Sequence, residues 1–185
     1  MEYQQETDYI RRILEGETNL FAWFLERYSR PIHSLIFQIV PNREDAEELT
    51  QDAFIKAFRK LDDFKGDCSF STWLYRIAYN TAVSATRMKK RILLEPVENV
   101  LENVADETVD ALLDKIDNEE MLQKLEQAID YLNTEEKALI TLYYLQEKPV
   151  QDVALILSLS PENVKVKLFR TRKKLYTWMI TTNKL

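Results

Sequence analysis

Three observations predict an all-α protein. Apolar residues recur at three- and four-residue spacing through most of the chain, as in helices buried on one face. Only two glycines and five prolines interrupt 185 residues. No run alternates apolar and polar residues as a half-buried strand would. The length allows one domain or two small ones. Two small helical domains joined by an acidic linker are expected, the C-terminal one with a helix-turn-helix. The expected boundaries are 1–94, 95–117 and 118–185.

The first helix is expected from Asp8, its cap, to Glu15, with Gly16 ending it in the left-handed conformation. Ile10, Ile13 and Leu14 mark its inner face. A second helix, from Thr18 to Tyr28, turns Leu20, Phe21, Phe24 and Leu25 inward. Pro31 suits the first position of a third, which ends near Val40 and Pro41. His33 is the only histidine. It has no Cys or His partner at metal spacing and reads as structural or surface.

Asn42 caps the next helix, with Asp45 three residues on. Ala46, Leu49, Ala53 and Ala57 form its apolar stripe, widened by Phe54, Phe58 and Leu61. Glu44, Glu48 and Asp52 fall at four-residue spacing on another face, beside Gln51. A solvated face is the usual fate of such a run. A docking face for a basic partner is the sharper reading.

A break at Leu61–Asp67 contains Gly66. Ser69 or Ser71 then starts a long helix through about Lys90. Trp73, Leu74, Ile77, Ala78, Thr81 and Ala85 follow helical periodicity, with Phe64, Phe70, Tyr75 and Tyr79 around them. Arg76, Asn80 and Arg87 sit at neighbouring positions. Rings at helical spacing are usually core. Rings beside guanidinium groups can also stack on unpaired bases and hold phosphates.

Charge is segregated. The net charge of −6 argues against nucleic acid only as an average. From Glu95 to Glu120 there are ten acids and one base, Lys115. That composition reads as a linker, with at most a short helical piece at Val109–Ile116. Asn80 to Leu94 carries four bases and no acid, and Glu162 to Leu185 carries seven bases and one acid.

The second half opens with a helix from Asn118 to Leu132, with Met121, Leu122, Leu125, Ala128, Ile129 and Leu132 inward. Asn133 caps the next helix and Glu136 completes a capping box. That helix carries Ala138, Leu139, Leu142 and Tyr143 to about Gln146. Pro149 opens a short helix, VQDVALIL. Ser158-Leu159-Ser160 forms a three-residue turn, and Ser160 caps a final helix that starts at Pro161. Two helices joined in this way, the second rich in Lys and Arg, have the form of a helix-turn-helix. Val153, Ala154 and Leu157 would pack on Val164 and Leu168. Glu162, Asn163, Lys165, Val166, Lys167 and Arg170 would then face outward to base edges, with Arg172, Lys173 and Lys174 toward phosphates. The turn lacks the glycine common in such motifs and has Ser158 instead.

The segments DAEELTQDAFIKAF and FKGDCSFSTWLYRIAYNTA, ending in RMKKR, resemble region 2 of the extracytoplasmic-function (ECF) group of bacterial sigma factors. EEKALITLYYLQEKPVQDVALILSLSPENVKVKLFRTRKKL resembles their region 4. The resemblance covers nearly the whole chain, with the parts in the right order. It implies that Glu48, Gln51 and Asp52 dock on core RNA polymerase. It implies that the loop Lys65–Ser71, including Asp67, Ser69 and Phe70, receives a flipped base of the −10 element. Trp73, Tyr75, Arg76 and Asn80 then face the opened strand, and Arg87 lies near its phosphates. Lys165, Lys167 and Arg170 would read the −35 element, and Val166 stands where a small polar residue is common. The acidic linker would run toward the RNA exit channel. An anti-sigma protein is a further implied partner.

Other classes explain less. A helix-turn-helix regulator with a helical sensing or dimerisation domain leaves the Asn42–Arg91 pattern without a purpose. A helical enzyme is poorly supported by one His, one Cys and no Gly-rich phosphate loop. No cofactor, metal or small-molecule substrate is expected. The lone Cys68 cannot form an internal disulfide, and a reducing cytoplasm is the expected setting. No apolar run approaches the roughly 18 residues of a membrane span, so no membrane insertion is expected.

Overall fold

The computed structural model describes residues 2–92 and 119–181, with side chains in 4–87 and 124–179. Among the described residues there are eight α-helices and no strand. The acidic linker, its expected helical piece, the Lys89–Arg91 side chains and the inward Met121 and Leu122 lie outside the described set.

Helix α1 spans Glu2–Leu14, six residues earlier than expected. Asp8 is no cap but a mid-helix ion-pair partner of Arg11, at 2.8 Å. Gly16 then turns the chain at φ 114°. Ile10 and Ile13 are buried as expected, while Leu14 is exposed.

Helix α2 spans Phe21–Ile39 without a break, where two helices were expected. Pro31 lies inside it. A mid-helix proline removes one hydrogen bond and costs about 3 kcal/mol. Ile32, Leu35 and Ile36, just beyond Pro31, are fully buried. Each such side chain returns about 1.5–3 kcal/mol, so packing overrides the local breaker.

Helix α3 spans Arg43–Arg59. Asn42 caps it, its Oδ1 accepting from the Asp45 N–H at 2.9 Å. Helix α4 spans Phe70–Ile92. Of the two candidate serines, Ser69 caps it, accepting from the Thr72 N–H at 3.1 Å. Helices α2, α3 and α4 pack on one another around Phe24, Phe54, Phe70 and Leu74. Lys56 Nζ donates to Thr81 Oγ1 at 3.2 Å, which pins α3 to α4.

In the second half, α5 spans Glu119–Asp130 and α6 spans Thr134–Ile140. The expected capping box is present. Asn133 Oδ1 accepts from the Glu136 N–H at 2.9 Å, and Glu136 Oε2 accepts from the Asn133 N–H at 2.8 Å. Helix α6 widens into a π-helical turn over Thr141–Leu145. Helix α7 spans Val150–Leu157 and α8 spans Pro161–Thr181. Ser160 Oγ caps α8 by accepting from the Asn163 N–H at 3.2 Å.

Val153, Ala154, Leu157, Val164 and Leu168 are buried together, joined by Ile156. The turn needs a left-handed residue, and Ser158 supplies it at φ 57°, ψ 44°. That conformation costs a non-glycine residue about 1–2 kcal/mol, and glycine's extra unfolded-state freedom offsets about 0.5–1 kcal/mol. Ser158→Gly is expected to raise stability by about 0.5 kcal/mol in thermal melting.

Candidate functional site

Three surfaces collect the candidate residues. The first is α3. Glu44, Glu48, Gln51 and Asp52 are all exposed. Arg43 Nε pairs with Glu47 at 3.1 Å. Lys56, one turn after Asp52, is spent on Thr81. Among the described residues, Glu48 and Asp52 therefore keep no ion-pair partner. Ile55 (47% exposed) and Phe58 (39%) extend this face with apolar surface. Phe58 was expected in the core. It leans edge-on against Phe21 instead, ring centroids 5.0 Å apart. Ile55 was missed, though an isoleucine one turn after Gln51 on an acidic face was a readable signal.

The second surface surrounds the α4 N-terminus. Lys65 and Asp67 are exposed on a loop turned by Gly66 at φ 78°. Asp63, Phe64, Cys68, Thr72, Trp73 and Arg76 complete a cleft of about 330 Å³, and Leu155 of α7 closes its far side. Arg76, Asn80 and Arg87 are exposed and Trp73 is half-buried. Two expected members are core residues in this structure. Phe70 is 1% exposed. It sits 4.3 Å from the Phe24 ring, 5.7 Å from Trp73 and 5.8 Å from Phe64. Tyr75 is 2% exposed. Burial pushes its phenol pKa up, and its O–H donates to Gln146 Oε1 at 2.7 Å. Burial likewise pushes the Cys68 thiol up, with Asp152 and Asp67 adding to the shift. A thiol held protonated is a poor redox switch.

Helix α8 is the third surface. Glu162, Asn163, Lys165, Val166 and Arg170 are exposed, as expected of its outward face. Phe169, also exposed, lies one turn beyond Val166 and was missed. Lys167 leaves that face and pairs with Glu135 of α6 at 2.5 Å. Lys174 pairs with Glu136 at 2.9 Å. Glu135 and Glu136 occupy the first turn of α6, so these lysines lock the two helices together rather than reaching outward. Arg172 and Lys173 are half-buried.

His33 stacks on Phe37, ring centroids 6.0 Å apart. Among the described residues no group of His, Cys, Asp and Glu is arranged to hold a metal. No helix among them is long and apolar enough to cross a membrane.

A helix-turn-helix lobe with a basic outer helix packs beside a helical lobe whose Glu48 and Asp52 keep no ion-pair partner among the described residues, an arrangement that suits a promoter-specificity subunit better than a lone DNA-binding domain. Comparison with known proteins falls on the same two lobes. The Sigma-70 region 2 family matches residues 24–92, and the Sigma-70 region 4 family matches residues 122–175. The ECF RNA polymerase sigma-E factor of Escherichia coli K12 is 32% identical over 181 residues, spanning 92% of this chain and 93% of that protein. The sigma-E factor of Haemophilus influenzae is 32% identical over 174 residues, 89% of each chain. Among solved structures, CnrH in complex with the cytosolic domain of CnrY superposes with a TM-score of 0.66 at 20% identity, covering 94% of this chain and 96% of that one. RpoE of Bartonella quintana, in complex with the anti-sigma factor NepR, superposes at 0.65 with 22% identity, covering 85% and 95%. The chain belongs to the ECF family of RNA polymerase sigma factors, and promoter recognition in transcription initiation is its function.

Proposed function

We propose a division of labour among the three surfaces. Residues 1–94 form the polymerase-docking and strand-holding domain, 95–117 the linker and 118–185 the −35-reading domain. Glu48, Gln51 and Asp52 dock on a basic surface of core RNA polymerase, with Ile55 adding apolar contact. Lys65, Asp67, Ser69, Trp73, Arg76 and Asn80 hold the opened −10 strand, and Arg87 holds a nearby phosphate. Phe70 and Tyr75 act from beneath, as the packing that fixes Trp73 and Arg76. Glu162, Asn163, Lys165, Val166 and Arg170 enter the −35 major groove, with Arg172 and Lys173 near the backbone. Lys167 gives up its pairing with Glu135 if it joins them.

The observation that carries this reading is selective exposure. Glu48, Gln51, Asp52 and the α8 outward face stand in solvent, while Phe70 and Tyr75, beneath the strand-holding surface, are buried. No covalent step is involved, so the protein acts as a binding subunit in the cytoplasm. Base extraction costs a few kcal/mol and stacking returns about 1–3 kcal/mol per base. Opening therefore needs several contacts plus polymerase docking. An anti-sigma protein is the proposed inhibitory partner, supported by the NepR-bound relative.

Run-off transcription on genomic DNA with core polymerase tests the reading. Discrete new start sites sharing two upstream elements are expected when the chain is added. The same start pattern with core enzyme alone would defeat it. The net charge of −6 opposes DNA binding by the free chain. Promoter DNA is thus expected to bind the holoenzyme far more tightly than the isolated protein in a mobility-shift titration. Nanomolar sequence-specific binding by the chain alone would contradict this.

A further inference from the structure

Helix α1 and the loop that precedes α4 enclose a second cavity, distinct from the cleft beside Trp73 and from the docking face. It measures about 280 Å³. Glu6, Thr7, Ile10, Arg11 and Leu14 fall at helical spacing and line one side. Phe64, Lys65 and Gly66 of the loop line the other, and buried Phe70 completes the wall. Phe64, Lys65 and Gly66 also line the cleft that holds Trp73 and Arg76. One loop therefore separates two cavities, and a strand drawn across it can reach both.

Glu6 is the unusual member of this wall, at only 7% exposed. A carboxylate is rarely buried for packing alone, because leaving water is costly unless hydrogen bonds replace it. The Tyr28 O–H donates to Glu6 Oε1. Burial, and then this bond, push the Tyr28 phenol up to about 12, so it stays a donor. Tyr28 takes one carboxylate oxygen. Among the described residues Glu6 makes no other hydrogen bond or ion pair, so an acceptor remains on the cavity wall. Arg11 and Lys65 line the same cavity and are exposed. Arg11 pairs with Asp8 at 2.8 Å and with Glu15 at 2.7 Å. Exposed ion pairs of this kind are weak and exchange readily for another anion.

We infer that this cavity takes a second base of the opened strand, and that Glu6 reads it by accepting from an exocyclic amino group. The inference rests on the proposed strand-holding role of the Lys65–Asn80 surface. The chemistry of the wall selects the occupant. Ile10, Leu14 and Phe64 offer apolar surface to the faces of a base, a contact that tolerates any sequence. Arg11 and Lys65 meet the phosphates on either side of it. Glu6 supplies the choice. Adenine, cytosine and guanine carry an amino group, and thymine does not. Thymine's single ring N–H lies between two carbonyl oxygens, which a carboxylate repels. Glu6 therefore disfavours thymine, and α1 becomes a specificity element.

The test uses holoenzyme on a promoter fragment taken from the run-off start sites and pre-opened by mismatches. Each base of the opened strand is replaced in turn by an abasic site, and competition binding reads the penalty. At least two sensitive positions are expected, each costing about five- to a hundredfold, the range for one stacked base. Trp73→Ala should relieve one of them. Thr7→Trp enlarges an exposed wall residue. It should fill the cavity and relieve another position, while keeping the wild-type melting temperature and polymerase affinity. At that position thymine is expected to bind about tenfold more weakly than the other three bases. Glu6→Gln keeps an oxygen for Tyr28 and turns an N–H toward the cavity, so the thymine penalty should vanish. Abasic penalties in Thr7→Trp that match wild type at every position overturn the second pocket. A thymine penalty unchanged in Glu6→Gln overturns the role of Glu6. If Trp73→Ala also relieves no position, the strand-holding reading has failed as well, which the Thr7 and Glu6 results alone do not touch.

Discussion

Changing Glu48, Gln51 and Asp52 together to alanine is expected to abolish polymerase binding while leaving the protein folded. All three side chains are exposed, and the two carboxylates have no ion-pair partner among the described residues. A hydrogen bond to a charged group is worth about 1.5–3 kcal/mol and a neutral one about 1 kcal/mol. Allowing for non-additivity, a loss of about 3–4 kcal/mol corresponds to a drop on the order of a hundred- to a thousand-fold in affinity. Stability should move the other way. Glu44, Glu48 and Asp52 repel one another at four-residue spacing, and alanine is the best helix former, so α3 loses only strain. An unchanged or slightly raised melting temperature, combined with lost co-purification with core polymerase, is the expected pair of results. Wild-type binding should also weaken with added salt, since exposed charges are screened. Retained binding in the triple variant would show that the acidic face is merely solvated.

What could be read in the sequence was local. The caps at Asn42, Asn133 and Ser160 and the helix-turn-helix spacing depend on residues within a few positions of each other, so the chain's own order displays them. Contacts across the chain were hidden. Nothing near Pro31 announces that Ile32, Leu35 and Ile36 will be buried deeply enough to carry the helix through it. Lys167 and Lys174 looked like free DNA-facing cations because Glu135 and Glu136 lie more than thirty positions away. The aromatic cluster was ambiguous for a related reason. Periodicity placed Phe70 and Trp73 on neighbouring parts of one helix. Only the approach of Phe24 from α2 decides that Phe70 is packed inside while Trp73 keeps a half-buried edge at the cleft.

That division between Phe70 and Trp73 makes the sharpest contrast of paired variants. Phe70→Ala is expected to cost about 3–5 kcal/mol, the usual loss for emptying a phenylalanine site in a core. The site cannot collapse easily, because Phe24 and Tyr28 of α2, Phe64 of the preceding loop and Trp73 of α4 itself all pack on the ring. A loss of that size is a large fraction of the roughly 5–15 kcal/mol that holds a small domain together. Denaturant unfolding should therefore show a much lower midpoint, with polymerase binding and promoter opening lost together. Trp73→Ala should behave differently. Its ring gives up less burial, so the melt should shift less, and polymerase binding should survive because α3 is untouched. Permanganate footprinting should then show promoter opening impaired within an otherwise assembled holoenzyme. If Trp73→Ala opened promoters normally, the ring would be only packing, and the strand-holding role would fall to Lys65, Arg76 and Asn80. If Phe70→Ala were as stable as wild type, the buried aromatic cluster would not be what organises this lobe.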